Sequence, residues 1–211
     1  QGENLAQRVA RGGALPAAEA CALLAPVAAT LARLHALTTD RAPRGVRHGD
    51  VKPANLIVAT ESAPDPQRLP DTVLVDFEHA LPIGQPAPRG GTEPFAAPEL
   101  ARADGQATAA QDVFSLGASL RWLLSGGMGD GVLPVALASF VARTTHVDPA
   151  QRPTASSCHA ALVAFARSLG DDPEELVRLD GNRATFAHPP TPTLPLPMAR
   201  QWRRRQRLYA R

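Results

Sequence analysis

Two long segments of this chain are apolar almost all the way round a helix, and they constrain its fold more than any other feature. They are LPAAEACALLAPVAATLARLHAL (residues 15–37) and TAAQDVFSLGASLRWLLSG (residues 108–126). A helix without a polar face has to be buried on all sides. With 211 residues, of which 44% are hydrophobic, the chain can bury both in one domain. The sequence therefore predicts a mainly α-helical fold.

The remaining apolar segments indicate a small β element and further helices. NLIVAT and DTVLVDF are short β-branched runs joined by a polar, proline-containing loop, which is typical of a β-hairpin. VLPVALASFVARTTH and TASSCHAALVAFARSL have apolar residues at helical spacing, and Thr154 precedes the second as an N-cap. The predicted fold class is mainly α with a small β-hairpin.

The last part of the chain differs in composition from the rest. Residues 200–211 (RQWRRRQRLYAR) hold six Arg and no acidic residue, although the whole chain has a formal net charge of only +2. The preceding HPPTPTLPLP is typical of an extended linker, because proline excludes helix interiors and central strands. We expect a folded domain at 1–168, a short extension at 169–188 with a helix at DPEELVRL, and a proline-rich linker with an Arg-rich tail at 189–211.

The cysteines and the hydropathy of the chain bear on its location. Cys21 and Cys158 lie in apolar helical patterns without the spacing of a metal or redox site, so we expect buried free thiols in a reducing compartment. No run of 18 apolar residues and no signal peptide is visible. These observations predict a cytoplasmic protein, which the Arg-rich tail could attach to a membrane in the full-length form.

One basic residue stands apart from all the others. Lys52, in RHGDVKPANLIV, is the only lysine of the chain, and every other basic residue is Arg. Arg presents a flat fork of donors, whereas Lys presents a compact point charge on a flexible stem. A site that needs a point charge beside a phosphate group favours Lys. The single lysine therefore indicates phosphate chemistry around this position.

Three oxygen-bearing side chains accompany Lys52. Asp50 and Asn55 flank it, and Asp76 follows the apolar run VLV. A carboxylate can orient a hydroxyl or accept its proton, an ammonium group can neutralise a phosphoryl group, and carboxylate and amide oxygens suit Mg²⁺. Each loop Asp alone is typical of a cap or a turn, but the combined pattern provides the parts that phosphoryl transfer requires.

At these residues the chain resembles the eukaryotic-like serine/threonine protein kinases of bacteria. HGDVKPANLIV is similar to that family's catalytic loop, VDFEHA to its magnesium-binding segment and GTEPFAAPE to the end of its activation segment. QDVFSLGASLRWLLSG is similar to its central buried helix and DPAQRPTA to its late Arg motif. The five motifs occur in the family's order, and the resemblance covers about residues 1–168.

The resemblance implies a role for each residue of the pattern. Asp50 would be the catalytic base or the group that orients the hydroxyl, and Lys52 would hold the γ-phosphate of ATP. Asn55 and Asp76 would bind Mg²⁺. Thr92 would form hydrogen bonds near Asp50 and Lys52 and shape the substrate pocket.

The resemblance also implies an ATP-binding surface. Glu3 would contact the ribose, and Leu56 and Ile57 would lie under the adenine. An exposed acid at a helix start is an alternative reading of Glu3, because the helix dipole favours it there. The implied cofactors are ATP and Mg²⁺.

A further set of residues would support the site without touching a substrate. His48 and Phe77 would stack in a hydrophobic spine, and Asp112 would anchor the catalytic loop to the central helix. Glu99 and Arg152 would form a buried ion pair that ties the activation segment to the domain.

Some parts of the family's pattern are not found in this chain. It holds no glycine-rich phosphate loop and no second lysine for the strand position of the family. The resemblance therefore implies a C-terminal lobe lacking the N-terminal β lobe, inactive without it. A truncated sequence and a genuine half-kinase both fit, and the start at Gln1 favours truncation.

Two departures from the pattern concern regulation. Gly49 stands where the family usually has an Arg that receives a phosphate, and Glu78 replaces the glycine of the magnesium-binding segment. The segment from Glu78 to Gly91 contains no Ser, Thr or Tyr. We therefore expect activity that does not depend on phosphorylation of the activation segment.

The departures leave other functions open. HGD and DFE also resemble the aminoglycoside and choline phosphotransferases, and DFE with GTEPFAAPE resembles the kinase domains of lanthionine synthetases. A pseudokinase that binds partners without catalysis is a third reading. The expected partners are a protein or peptide substrate, an N-lobe in the full-length chain, and an anionic membrane at the Arg-rich tail in preference to nucleic acid.

Overall fold

Five α-helices dominate the computed structural model, which describes residues 2–59, 71–101, 105–127 and 133–171. They are α1 (Leu5–Gly12), α2 (Ala17–Ala36), α3 (Ala109–Leu124), α4 (Val135–Thr144) and α5 (Ala155–Asp171). Short 3₁₀ helices occupy Pro53–Asn55, Pro98–Ala101 and Pro149–Gln151. Four of the α-helices coincide with the segments predicted from apolar spacing. The predicted DPEELVRL helix, the linker and the Arg-rich tail lie outside the described residues.

The two apolar helices form the centre of the core. α2 packs mainly against α5 and also against α3. Leu23, Leu24 and Leu31 of α2 are enclosed, as are Leu116 and Leu120 of α3. By length and apolarity α2 would also suit a membrane span, but its buried leucines pack in this core, which accounts for its composition.

Both cysteines belong to the same core. Cys21 on α2 and Cys158 on α5 are buried free thiols, as predicted. Burial raises the pKa of each thiol to about 12, since a thiolate would lose its hydration there. The thiols are therefore protonated and packed as small apolar groups.

Side-chain caps begin three of the helices. Asn4 and Gln7 form a reciprocal capping box at α1. At α3 the cap is one-sided, because Oε1 of Gln111 accepts a hydrogen bond from the backbone N–H of Thr108 at 3.2 Å while the Thr108 hydroxyl has no hydrogen-bond partner among the described residues. At α5 the hydroxyl of Thr154 accepts a hydrogen bond from the backbone N–H of Ser157 at 3.2 Å, so the predicted cap is present.

The β structure is larger than the predicted hairpin. The strands are β1 (Glu3–Asn4), β2 (Val46–Arg47), β3 (Leu56–Val58), β4 (Thr72–Leu74) and β5 (Leu81–Pro82). The predicted pair, β3 and β4, is antiparallel with Ile57 opposite Val73, and β1 adds to the other edge of β3. β2 pairs with β5 in a separate two-stranded ribbon. The prediction missed β1, β2 and β5 because two residues are too few to show an alternating pattern.

α3 and α4 approach each other closely at a glycine. A Cβ atom on Gly117 would lie 2.1 Å from Oγ1 of Thr144, which is fully buried on α4. That hydroxyl donates to the carbonyl of Phe140 at 3.0 Å, so it is not free to move away. The contact explains why α3 has a glycine in its interior despite the low helix propensity of glycine.

We predict that Gly117→Ala destabilises the chain. Because the added methyl group overpacks the interface between α3 and α4, the free energy of unfolding should fall by about 1–3 kcal/mol. Gly12→Ala is the matched control, since a Cβ there has no other atom within 4 Å. Urea unfolding of both variants measures the difference, and equal stability of the two would contradict the packing argument.

Candidate functional site

The loop from His48 to Lys52 is held by one carboxylate on the first turn of α3. Asp112 has no exposed surface, and its Oδ2 and Oδ1 accept hydrogen bonds from the backbone N–H groups of His48 and Gly49, each at 2.8 Å. His35 adds a contact from Nε2 to Oδ2 at 2.9 Å. The loop backbone is thus fixed to the central helix.

Asp50 forms one hydrogen-bonded cluster with three other predicted site residues. The Nζ atom of Lys52 lies 2.7 Å from Oδ2 of Asp50, and the Nδ2 atom of Asn55 donates to the same oxygen at 2.9 Å. The hydroxyl of Thr92 donates to Oδ1 of Asp50 at 3.2 Å, and Lys52 donates to that hydroxyl at 3.2 Å. Thr92 therefore connects the activation segment directly to the loop.

This cluster sets the protonation of Asp50. Burial by itself would raise the pKa of the carboxyl group, but the hydrogen bond and charge of Lys52, with the hydrogen bonds from Asn55 and Thr92, outweigh it. The pKa of Asp50 therefore lies below its ordinary value. The side chain is an ionised hydrogen-bond acceptor at neutral pH.

Asn55 and Asp76 lie at the same end of the β3–β4 pair. The backbone N–H of Val75 donates to the carbonyl of Asn55 at 3.0 Å. Because Asp76 follows Val75 in the chain, it lies near Asn55. Asp76 has φ of 67°, in the left-handed region that non-glycine residues seldom adopt. Such strain often accompanies a functional constraint.

Asn55 and Asp76 provide oxygen donors that would fit a magnesium ion. The Nδ2 atom of Asn55 donates to the backbone and carboxylate oxygens of Asp50, both at 2.9 Å, so its Oδ1 is the atom of the amide that can act as a ligand. That amide oxygen and the Asp76 carboxylate form an oxygen donor set suited to Mg²⁺. The described residues contain no group of three or more His, Cys, Asp or Glu that could enclose a metal.

His48 and Phe77 are in contact, as the resemblance implied. Their ring centroids are 4.7 Å apart, with an angle of 68° between the planes. His48 is fully buried, and burial lowers its pKa despite the opposing effects of Asp112 and other acceptors, so the imidazole is neutral. Phe77 is 47% exposed, so only one side of the ring is packed in the described structure.

The three residues assigned to ATP occupy the β1–β3 sheet in different ways. Glu3 lies opposite Val58, and its Oε2 accepts a hydrogen bond from Arg11 at 3.0 Å. Ile57 is half-buried, but Leu56 is fully enclosed in the core. Because neighbouring strand residues face opposite sides, only one of the pair can meet a ligand. The prediction that Leu56 lies under the adenine is therefore corrected, and Leu56 is a core residue.

Glu99 and Arg152 form a two-point ion pair. The Nη1 and Nη2 atoms of Arg152 donate to Oε1 and Oε2 of Glu99 at 2.7 and 2.8 Å. The Arg152 side chain has no exposed surface and also donates to the carbonyl groups of His146 and Ala110 at 2.7 and 3.0 Å. Its guanidinium lies 5.0 Å from the ring centre of Phe114. The pair joins the segment around Glu99 to the beginning of α3 and the loop before α5.

One charged residue of the site was not anticipated from the sequence. Arg47 on β2 is only 2% exposed and donates to Oε1 of Gln111 and to the carbonyl of His79. Because Arg is usually a surface residue, nothing in its spacing indicated burial. The signal that could have revealed it is Gly49, which leaves space for a neighbouring side chain.

Comparisons with known proteins agree with the resemblance to protein kinases. A family model of the protein kinase domain matches residues 1–128. A Corynebacterium efficiens protein named serine/threonine-protein kinase drp72 is 30% identical over 193 residues, which are 89% of this chain and 33% of that protein. The Mycobacterium leprae serine/threonine-protein kinase PknB is 30% identical over 182 residues, 82% of this chain and 26% of that protein. The chain spans a third or less of the length of these relatives.

We predict a large loss of stability from Arg152→Leu. Removing the cation leaves the largely enclosed carboxylate of Glu99 (14% exposed) without its partner, and halving a buried pair typically costs about 3–5 kcal/mol. Arg8→Leu is the matched control, because Arg8 pairs with Glu19 at a site where both side chains are about a third exposed (34% and 32%). An exposed pair of this kind is worth about 1 kcal/mol or less. Chemical unfolding of both variants tests the contrast, and similar losses would refute it.

Proposed function

This chain belongs to the protein kinase family, among the bacterial-type serine/threonine kinases, and from that premise we propose that the Asp50 cluster transfers the γ-phosphoryl group of ATP to a Ser or Thr hydroxyl of a protein or peptide. The observation that carries the proposal is the convergence of Lys52, Asn55 and Thr92 on the Asp50 carboxylate. These groups come from two separate segments of the chain, and their meeting point combines a cation, an anion and a hydroxyl.

The low pKa of Asp50 favours one of its two implied roles. A carboxylate that is stabilised by Lys52, Asn55 and Thr92 is a weak base. It can hold the substrate hydroxyl by accepting a hydrogen bond, and it can take the proton late in the reaction. Phosphoryl transfer with a loose transition state needs little early deprotonation of the attacking oxygen. We therefore assign Asp50 to orientation of the hydroxyl.

Lys52 and Thr92 complete the site around that hydroxyl. The ammonium group of Lys52 contacts both Asp50 and Thr92. On this proposal it neutralises the negative charge of the phosphoryl group during transfer. Thr92 holds the activation segment against Asp50. Asn55 and Asp76 would hold Mg²⁺, which screens the phosphate charges when it is bound.

The GTEPFAAPE segment favours a protein or peptide over a small molecule as substrate. The carbonyl of Phe95 accepts a hydrogen bond from Ser115 of α3 at 2.8 Å, and Glu99 is held by Arg152. The segment therefore presents a shaped surface next to Asp50, which a peptide can occupy and an isolated antibiotic or choline does not need. The aminoglycoside-type alternative lacks such support, and the presence of all four residues Asp50, Lys52, Asn55 and Asp76 weighs against a pseudokinase.

We also propose that the described domain is a C-terminal lobe, which an N-terminal lobe in the full-length protein completes. The sequence offers no glycine-rich loop and no second lysine for that role. Val73 is 51% and Phe77 is 47% exposed beside the predicted ATP surface, and such apolar side chains fit a covered interface. On this proposal, the 211-residue chain alone transfers phosphate slowly or not at all.

The tail remains a prediction. Its Arg residues, with Trp202 and Tyr209 among them, suit an anionic membrane surface, and they lie outside the described residues. Membrane association and a cytoplasmic location of the catalytic domain are proposed together.

Asp50→Asn in the full-length protein should abolish phosphoryl transfer. The neutral amide is a poorer acceptor for the hydrogen bond that orients the hydroxyl, and it cannot take the proton late in the reaction, so we expect transfer to a protein or peptide substrate to fall by about 100-fold or more. Asp40→Asn is the control, because Asp40 is an exposed loop carboxylate. Radiolabelled phosphate transfer and thermal unfolding are measured together. Unchanged transfer by a folded Asp50→Asn protein would contradict the assignment.

Activity of the full-length protein should not depend on phosphorylation of its activation segment. Gly49 offers no side chain to bind a phosphate, residues 78–91 contain no hydroxyl, and the Thr92 hydroxyl is already bonded to Asp50. Phosphatase treatment should leave the rate unchanged, and mass spectrometry should find no phosphate at residues 76–99. A loss of activity that follows removal of phosphate from Thr92 would refute the prediction.

A further inference from the structure

The buried guanidinium of Arg47 needs a physical explanation. The residue is 2% exposed, and removing a charged side chain from water is costly unless hydrogen bonds and opposite charge compensate. Its Nη1 donates to Oε1 of Gln111 at 2.8 Å, and its Nη2 donates to the carbonyl of His79 at 3.2 Å. Asp112 is the nearby carboxylate, and it counteracts the lowering of the Arg47 pKa by burial. The guanidinium, which stays protonated, is thus bonded internally through both Nη atoms, whereas its buried Nε has no hydrogen-bond partner in the described part of the chain.

Gly49 is what allows Arg47 to occupy this position. A Cβ atom on Gly49 would lie 2.6 Å from Nη2 of Arg47 and 2.6 Å from the carbonyl oxygen of His79. Gly49 also has φ of 89°, which disfavours other residues. The guanidinium therefore passes through the space that any side chain at position 49 would enter.

The first partner of Arg47 connects it to the middle of the activation segment. Gln111 accepts from Arg47 and donates from Nε2 to the carbonyl of Gln106 at 2.8 Å. Residues around Gln106 pair with the segment, since the N–H of Ala107 donates to the carbonyl of Gln85 at 2.8 Å, and Gln106 forms a β-bridge with Pro86. The segment at 84–87 is thereby bound to the chain in front of α3.

The second partner connects Arg47 to the beginning of the same segment. His79 follows Asp76 by three residues, within a turn closed by the bond from the N–H of Ala80 to the carbonyl of Phe77 at 3.0 Å. Arg47 thus holds the carbonyl of His79 inside the turn from Phe77 to Ala80, which directly follows Asp76. One guanidinium joins the catalytic loop, the magnesium-binding turn and the central helix.

We propose that Arg47 is a positioning residue that keeps Asp76 aligned with Asn55 by holding the His79 turn and Gln111 together, and that Gly49 exists in this chain to admit it. This inference rests on the proposed phosphoryl transfer. It adds that the internal contacts of Arg47 take the place of the contact that a phosphate on the activation segment would make. The arrangement is permanent, because it uses only groups of the folded chain.

The test compares Arg47→Met with Arg41→Met in the full-length protein. Arg41 is exposed in the loop before β2, so the control removes the same charge and adds the same side chain. Hydrogen exchange measured by mass spectrometry should show residues 78–87 exchanging about tenfold faster in Arg47→Met only, because local opening becomes easier. Peptides from α5 serve as the internal reference and should keep their rates.

The kinetic readout is the Mg²⁺ concentration that gives half-maximal transfer. Loss of a residue that orients a metal ligand typically weakens metal affinity by about tenfold or more, so this concentration should rise in Arg47→Met and stay unchanged in Arg41→Met. Gly49→Ala keeps Arg47 but fills its space, and it should show the same two effects. Gln111→Met provides the corresponding variant if Arg47→Met does not fold.

The outcomes separate this inference from the proposed function. Unchanged exchange at 78–87 and an unchanged Mg²⁺ requirement in folded Arg47→Met would overturn the inference, and so would a loss of thermal stability without either effect. If the parent protein transfers no phosphate, the proposed function fails, and the exchange experiment still decides whether Arg47 holds the segment. Faster exchange confined to 78–87 in Arg47→Met and Gly49→Ala supports it.

Discussion

The buried carboxylate of Asp112 is the interaction on which the site depends. It lies in the first turn of α3, where the helix dipole favours a negative charge, and it binds the backbone N–H groups of His48 and Gly49. Asp50 follows directly, so its position is set by main-chain atoms and a helix that is itself enclosed in the core. The flexible side chains of Lys52 and Thr92 then need only to meet a fixed acceptor. Replacing Asp112 by an apolar residue would leave two buried N–H groups without partners, which explains the use of a charge in this interior position.

The distances at Asp50 answer why this chain keeps a single lysine. The ammonium group of Lys52 contacts Asp50 and Thr92 at 2.7 and 3.2 Å while Asn55 shares the same carboxylate. A guanidinium in its place would tend to form a two-point pair with the carboxylate, as Arg152 does with Glu99. That geometry would compete with Thr92 for Oδ1 of Asp50 and leave less room for a hydroxyl. The two basic side chains therefore serve different purposes. Lys52 makes an adjustable contact with Asp50, whereas Arg152 makes a rigid two-point contact with Glu99.

Much of the fold and most of the site could be predicted from the sequence, for physical reasons that differ by element. α2 and α3 were predictable because a helix without a polar face has to be buried on all sides. The Asp50 cluster was predictable because its residues are close in sequence or lie in a recognisable motif. The strands β1, β2 and β5 were not, since tertiary contacts and not local alternation create two-residue strands. The burial of Leu56 and of Arg47 depended on which side of a strand faces the core and on space left by Gly49, and neither property is visible in composition or spacing. Such features arise only when distant segments are brought together.

The reactivity of the two buried thiols can report the opening motions of this domain. Cys21 and Cys158 lie on α2 and α5, the pair of helices that forms the main contact of the core, and their pKa values of about 12 keep them unreactive in the closed state. Alkylating reagents act on the thiolate form of exposed cysteine. The rate of alkylation therefore counts the occasions on which these helices separate, and it does so without an added label because the chain contains no other cysteine.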